Sequence, residues 1–220
     1  MTSPAADDAR PLRSDAERKR RRILHAAREE FAENGLGATL DDVARRAGVG
    51  VGTAYRRFGN KQVLINELFE ERLDAMVTLA EEVLVEDDPW EGFVRFLTTA
   101  LERMAGDRGL REVIFSEMHG RPEVAEARRR LLPAAAAVMR RAQDAGALRP
   151  DLAATDLPLI QYMVSHTIHY TQPVSADVWK RCLTVVLDGL RARPDGTPMT
   201  QAALTPAEEE RVVGLGTSMS

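Results

Sequence analysis

The stretch TLDDVARRAGVGVGTAYRRFGNK, residues 39–61, sets three glycines on alternate positions between a helical-looking run and a Tyr-Arg-Arg segment. A loop that cradles a nucleotide needs a strand running into its glycines and the spacing G-x-G-x-x-G or G-x-x-x-x-G-K-[ST]. Neither spacing occurs, because Thr53 follows Gly48, Gly50 and Gly52. The run before the glycines is a helix: Thr39 is its N-cap, Asp42 stands at the third position of a capping box, and Leu40, Val43, Ala44 and Ala47 share one face. Gly48 then permits a tight turn, Val51 to Phe58 forms a second short helix stopped by Gly59, and Asn60 caps a longer one. Two short helices that cross steeply need small residues at the contact, which Ala44 and Ala47 supply, while Val49 can fill the angle. The tip of the second helix, Gly50, Val51, Gly52 and Thr53, has small side chains that allow close approach to a groove and N–H groups that can face phosphate. The pattern is that of a helix-turn-helix.

Charge supports a nucleic-acid partner once it is divided by position. The whole chain of 220 residues carries a formal charge of −4. Residues 1–61 hold 13 Lys/Arg against 9 Asp/Glu, whereas residues 62–220 hold 17 against 25, so a basic first quarter precedes an acidic remainder. That asymmetry is expected when one end meets an anionic partner. Hydrophobic residues at 44%, charged ones at 29% and aromatics at only 5% suit a globular, all-α chain rather than a strand-rich one. No apolar run approaches a membrane span and no leader pattern opens the chain, which predicts a cytoplasmic protein with no membrane association. Cys182 is alone, so neither a disulfide nor a cysteine-based metal site can form within the chain.

The periodicity divides the chain into about nine helices and no strand. Residues 1–14 read as a flexible arm, from which Arg10 and Arg13 could reach a groove. A first helix starts at Ser14, presents Ile23, Ala26, Ala27, Phe31 and Ala32 on one face, and stops at Asn34-Gly35. After the helix-turn-helix, a long helix runs from Asn60 to the break at Asp87-Asp88-Pro89. Further helices are predicted near 89–105, 108–118, 122–145, 154–171 and 175–192, each bounded by Gly or Pro turn chemistry. Residues 194–220 read as a mobile tail with a turn or two of helix after Thr205-Pro206. The domain reading is an arm at 1–14, a helix-turn-helix DNA-binding domain at 15–70 with its motif at 39–58, a larger helical domain at 71–193, and the tail.

From ILHAAREEFAENG through TLDDVARRAGVGVGTAYRRF to GNKQVL, the chain resembles the TetR family of bacterial transcriptional regulators over roughly residues 17 to 70. The resemblance implies an all-α homodimer with an N-terminal three-helix DNA-binding domain and a larger helical domain for a small-molecule effector. Carried onto this sequence, it implies that Thr39 faces a phosphate and that Val51, Gly52 and Thr53 lie at the groove floor. Tyr55 gives its hydroxyl to a phosphate, Arg56 and Arg57 reach a base edge or the backbone, and Lys61 holds another phosphate. Arg45 is a further candidate, and the Arg18–Arg22 run is read as steering phosphate. Gly50 stands where the family usually has Ser or Thr, and Ala54 replaces a larger aliphatic residue.

The larger half shows no catalytic constellation. His166 and His169 share a helix face without a third ligand, and neither Ser116 nor Ser165 sits in a G-x-S-x-G setting, so neither an enzyme nor a cofactor is expected. Most of its Met and aromatic residues are core. Met118, His119, Tyr162 and His166 are the candidates to line an effector pocket, whose apolar character favours a largely hydrophobic ligand. Val178, Leu183, Val186, Leu187 and Leu190 form a stripe expected to be exposed for dimerisation in a four-helix bundle. With these features, the resemblance implies a homodimeric repressor released from a palindromic operator by a small ligand. The alternative is an activator or architectural DNA-binding protein controlled by a protein partner.

Overall fold

The computed structural model describes residues 9–109 and 122–215. Within them the chain is helical, in the order α1 (Ala9–Asn34), α2 (Leu40–Arg46), α3 (Val51–Phe58), α4 (Lys61–Val83), α5 (Pro89–Ala105), α6 (Pro122–Asp144), α7 (Asp156–Thr171), α8 (Trp179–Leu190) and α9 (Pro206–Leu215). A single turn of 3-10 helix at Gly35–Gly37 links α1 to α2. The only extended pairing among the described residues is an isolated antiparallel bridge between Leu148 and Arg191. Most of the helix expected at 108–118 lies outside the described residues.

α1 starts at Ala9, five residues before the expected start, so residues 9–14 are helix rather than a flexible arm. Pro11 is compatible with that start because the first N–H groups of a helix have no intrahelical acceptor for proline to forfeit. Among the side chains described from Asp15 on, Ile23 is the first buried one; Ile23, Ala26, Ala27 and Phe31 turn inward against α2 and α4.

The same logic of caps sets the other boundaries. The Asn60 side chain accepts from the Val63 N–H at 3.0 Å to open α4. The Asp88 carboxylate accepts from the N–H groups of Trp90 and Glu91, at 2.8 and 3.2 Å, beside Pro89 in the first turn of α5. Between these two helices a Cβ on Gly92 would lie 3.0 Å from the Val83 carbonyl oxygen, so glycine gives this crossing its close approach. Arg141 of α6 donates to the carbonyls of Val83 and Glu86 and so caps the end of α4.

α4 belongs to both halves of the molecule. It packs on α1 and α3 at one end and on α5 and α6 along the rest, while α5, α7 and α8 complete the larger half. Two contacts reinforce this joint. Arg72 of α4 is ion-paired with the largely buried Asp107, and Gly109 lies so close to Phe31 of α1 that a Cβ there would approach the Phe31 Cβ to 2.8 Å and its carbonyl oxygen to 2.9 Å. Burial pulls the Arg72 guanidinium below its ordinary value, and the Asp107 carboxylate opposes that shift.

The expected mobile tail is instead tied to the body over much of its length. Asp151 accepts from the Met199 N–H at 3.0 Å, Arg149 donates to the Thr197 carbonyl at 2.7 Å, and the Thr155 hydroxyl donates to the Leu204 carbonyl at 2.8 Å. Thr205 and Glu208 then form a capping box that opens α9, with Glu209 buried. Gly- and Pro-rich composition signals irregular backbone, and these bonds satisfy that backbone from the side chains of the body.

Candidate nucleic-acid interface

The local sequence builds the helix-turn-helix as its caps require. Thr39 accepts from the Asp42 N–H at 3.2 Å and its own N–H donates to the Asp42 carboxylate at 2.9 Å, so both halves of the capping box are made. The Thr39 hydroxyl and N–H, with Arg45 at 2.8 Å, hold the Asp42 carboxyl down at about 2. At the other end of α2, the Gly48 N–H donates to the Arg45 carbonyl at 3.1 Å and the Val49 N–H to the Ala44 carbonyl at 3.0 Å. This is a Schellman closure, and Gly48 adopts the left-handed φ of +62° that it requires. Arg22 of α1 completes it by donating to the Ala47 carbonyl at 2.6 Å and the Gly48 carbonyl at 3.2 Å.

α3 leaves this turn with a buried and an open face. Ala54 is fully buried and Phe58 is 4% exposed, so the small Ala54 is what the crossing with α2 accommodates. Val51, Gly52, Tyr55, Arg56 and Arg57 are exposed and Thr53 is half-buried. No side chain caps the N-terminus of α3, because its N-cap is Gly50. A Cβ on Gly52 would meet nothing within 4 Å, and Gly52 does not take a left-handed φ. Neither backbone geometry nor packing within the chain therefore calls for glycine at that position.

The surrounding charges already have partners. Tyr55 lies beside Asp41, whose negative charge raises the phenol above its ordinary value. Arg57 faces Glu17 of α1 at 3.7 Å, and Arg45 pairs with Asp42. The Lys61 ammonium donates to the Leu36 carbonyl at 2.7 Å, and Arg46 is held by Glu29, Glu30 and Glu33. The Arg18–Arg22 run also divides: Arg20 pairs with Glu67 of α4 and Arg22 caps α2, while Arg18, Lys19 and Arg21 are exposed. These structural roles of Arg22, Asp41 and Glu17 were not read from the sequence. For Arg20 a signal exists, because it lies three residues before Ile23 and so on the buried face of α1.

Residues of the larger half fall differently. Met118 and His119 lie outside the described residues. Tyr162 and His166 stand one turn apart on α7, both exposed among the described residues, with ring centroids 5.3 Å apart and planes tilted by 34°. The stripe on α8 is not an exposed one. Leu183 and Leu190 are buried with Trp179 in the subunit's own core, Val186 and Leu187 are half-buried against it, and only Val178 is exposed. The heptad-like spacing of that stripe is the same whether its partner is this chain or another. Open apolar residues elsewhere in this half include Leu159, Tyr162, Met163 and Tyr170 on α7 and Val185 on α8, beside Val85, Val174, Met199 and Val212. Among the described residues no cluster of His, Cys, Asp and Glu is placed to hold a metal, and no helix is long and apolar enough to cross a membrane.

Comparison with known proteins places these features. Residues 23–68 match the family model described as bacterial regulatory proteins, tetR family, and residues 88–192 match the C-terminal domain of SbtR-like transcriptional regulators. The crystal structure of a TetR transcription regulatory protein from Mycobacterium vanbaalenii is 32% identical, with a TM-score of 0.59 over 82% of this chain and 99% of that one. Among curated relatives, an HTH-type transcriptional regulator of Staphylococcus aureus is 36% identical over 84 residues, which is 37% of this chain and 44% of the relative. This chain thus spans less than half of that relative's length. A structure of FadR from Bacillus subtilis in complex with stearoyl-CoA shares the fold at 20% identity, with a TM-score of 0.59 over 77% of this chain and 98% of that one.

Proposed function

Since the chain belongs to the TetR family of bacterial regulatory proteins, we propose that it is a sequence-specific, homodimeric DNA-binding repressor that leaves a palindromic operator when a small, largely hydrophobic effector binds. The observation that carries the DNA-binding part is the open face of α3. A helix N-terminus without a side-chain cap, a glycine that no internal contact calls for, and flanking Tyr55, Arg56 and Arg57 fit the close approach of a duplex. In this reading Val51, Gly52 and Thr53 enter the major groove, and Arg56 reads a base edge. Thr39, Arg45, Tyr55, Arg57 and Lys61 turn to phosphates, exchanging internal partners for them.

Homodimerisation is proposed through Leu159, Met163 and Tyr170 of α7 with Val185 of α8, a location shifted from the stripe read in sequence. Two recognition helices then face half-sites roughly 34–36 Å apart. The effector is proposed to contact Met118, His119, Tyr162 and His166. A largely apolar ligand agrees with the shared fold of FadR, which is described in complex with stearoyl-CoA. Ligand binding would favour a conformer whose two α3 helices no longer match the half-sites, and DNA affinity would fall.

The test is selection of binding sites by the purified protein from a random duplex pool at about 150 mM salt, followed by footprinting. Recovery of a two-fold symmetric site is the expected result. Equal binding to selected and random duplexes would refute sequence-specific regulation.

A further inference from the structure

α1 extends beyond the core that holds it. Fourteen residues precede Ile23, the first residue of its buried run, which is about 21 Å of helix at 1.5 Å per residue. The family match begins at that same residue, so the overhang lies outside what it covers. Over its described part, Ala16, Glu17, Arg18, Lys19 and Arg21 are exposed. The overhang is nevertheless fixed in place, because Arg20 pairs with Glu67 of α4 and Glu17 faces Arg57 of α3.

Between the overhang and α3 lies an open groove of about 290 Å³. Lys19 and Arg20 line it from α1, Thr53, Arg56 and Arg57 line it from α3, and Asp15 is the single acid among the lining residues. We propose that this groove seats the sugar–phosphate backbone of the duplex, so that the overhang adds a row of phosphate contacts beside the recognition helix. The inference rests on the DNA-binding reading and extends the footprint that the reading assigns.

Two features favour this occupant. Four cationic side chains from two helices line one cleft, against the single acid Asp15. The groove is also continuous with the open face of α3, with which it shares Thr53, Arg56 and Arg57. The acids of the overhang act as stand-ins for phosphate in the DNA-free protein. Asp15 pairs with Arg18 at 2.5 Å and with Lys19 at 2.7 Å, and Glu17 occupies Arg57. A phosphate entering the groove displaces these carboxylates and takes over their cations.

The experiment measures binding of the full chain to a fluorescent mixed-sequence duplex by anisotropy, from about 50 to about 250 mM salt. Removing one cation that meets a phosphate lowers the slope of log affinity against log salt by roughly one. Lys19→Ala is expected to bind about threefold more weakly at low salt and to lower the slope by about one, with an unchanged unfolding curve. Glu17→Gln, which frees Arg57, is expected to tighten binding about threefold, a direction that loss of structure cannot produce. If the wild type binds and Arg56→Ala weakens it, but Lys19→Ala keeps the full slope, this inference falls while the DNA-binding reading stands. If the wild type does not bind duplex at all, both fall. Competition by poly-glutamate as effective as that by duplex, per charge, would reassign the groove to an acidic protein and overturn the proposal.

Discussion

α3 and α8 are both short helices with a strongly one-sided apolar pattern, yet they end up with opposite relations to the rest of the chain. α8 spends its large residues at home: Trp179, Leu183 and Leu190 are buried in the subunit core, and Arg149 and Arg191 lock its C-terminal end through a bridge and a cation–π contact with Trp90 at 4.3 Å. α3 buries only Ala54 and Phe58 and leaves a tip whose composition nothing inside the molecule explains. An amphipathic stripe identifies a buried face without saying which molecule buries it. A residue choice that costs stability and has no internal counterpart points outward, as Gly52 does. Glycine inside a helix costs roughly 1 kcal/mol relative to alanine, a sacrifice that close approach to DNA would justify.

The largest expected effect on this contrast comes from α8. Leu183→Ala removes a buried side chain from the core and is expected to destabilise the subunit by about 3 kcal/mol, read as a lower urea midpoint. A cost below about 0.5 kcal/mol would mean that the stripe faces outward after all. Breaking the joint between the two halves comes close behind. Asp107→Ala leaves the Arg72 guanidinium buried without its carboxylate, with an expected loss of about 3 kcal/mol in the same assay, and Arg72→Met in the Asp107→Ala background should recover part of it.

Gly52→Ala sharpens the contrast because its two readouts move in opposite directions. The variant should gain up to about 1 kcal/mol of stability, since its Cβ meets open space, and lose about tenfold or more in duplex affinity. Stabilisation without loss of binding would show that α3 does not approach DNA closely at that position. Val185→Glu should leave the subunit's unfolding almost unchanged, because Val185 is 73% exposed, while shifting the oligomer toward monomer in light scattering. A dimer that persists unaltered would place the interface elsewhere.

The smallest effect is a pH dependence at the α2 cap. The Asp42 carboxyl is depressed to about 2 in the folded chain from an ordinary 3.8, chiefly by the Thr39 hydroxyl. A depressed carboxyl stabilises the fold above its unfolded value, and that stabilisation is lost as pH falls from about 4 through about 2. Asp42→Asn should therefore flatten the acid limb of stability in that window relative to wild type, while leaving the neutral-pH limb parallel.

The local structure of the first third is legible in its residues alone. The caps at Thr39 and Asn60, the turn at Gly48 and the face of Ala44, Ala54 and Phe58 are all set by residues within a few positions of one another, so periodicity and capping rules reach them. The all-α class and the separation of a basic unit from an acidic one follow from composition in the same way. The internal partners of the charges and apolar faces emerge only from long-range packing. It assigned Arg22 and Lys61 to carbonyls 25 positions away, joined Arg72 to Asp107 and Phe31 to Gly109, turned Leu183 and Leu190 inward, and bound residues 197–204 to the 149–155 turn. Such pairings join residues far apart in the chain. A charge or an apolar stripe looks the same in sequence whether it will meet its own core, a second copy or a duplex, and folding chooses among these by geometry and not by residue type.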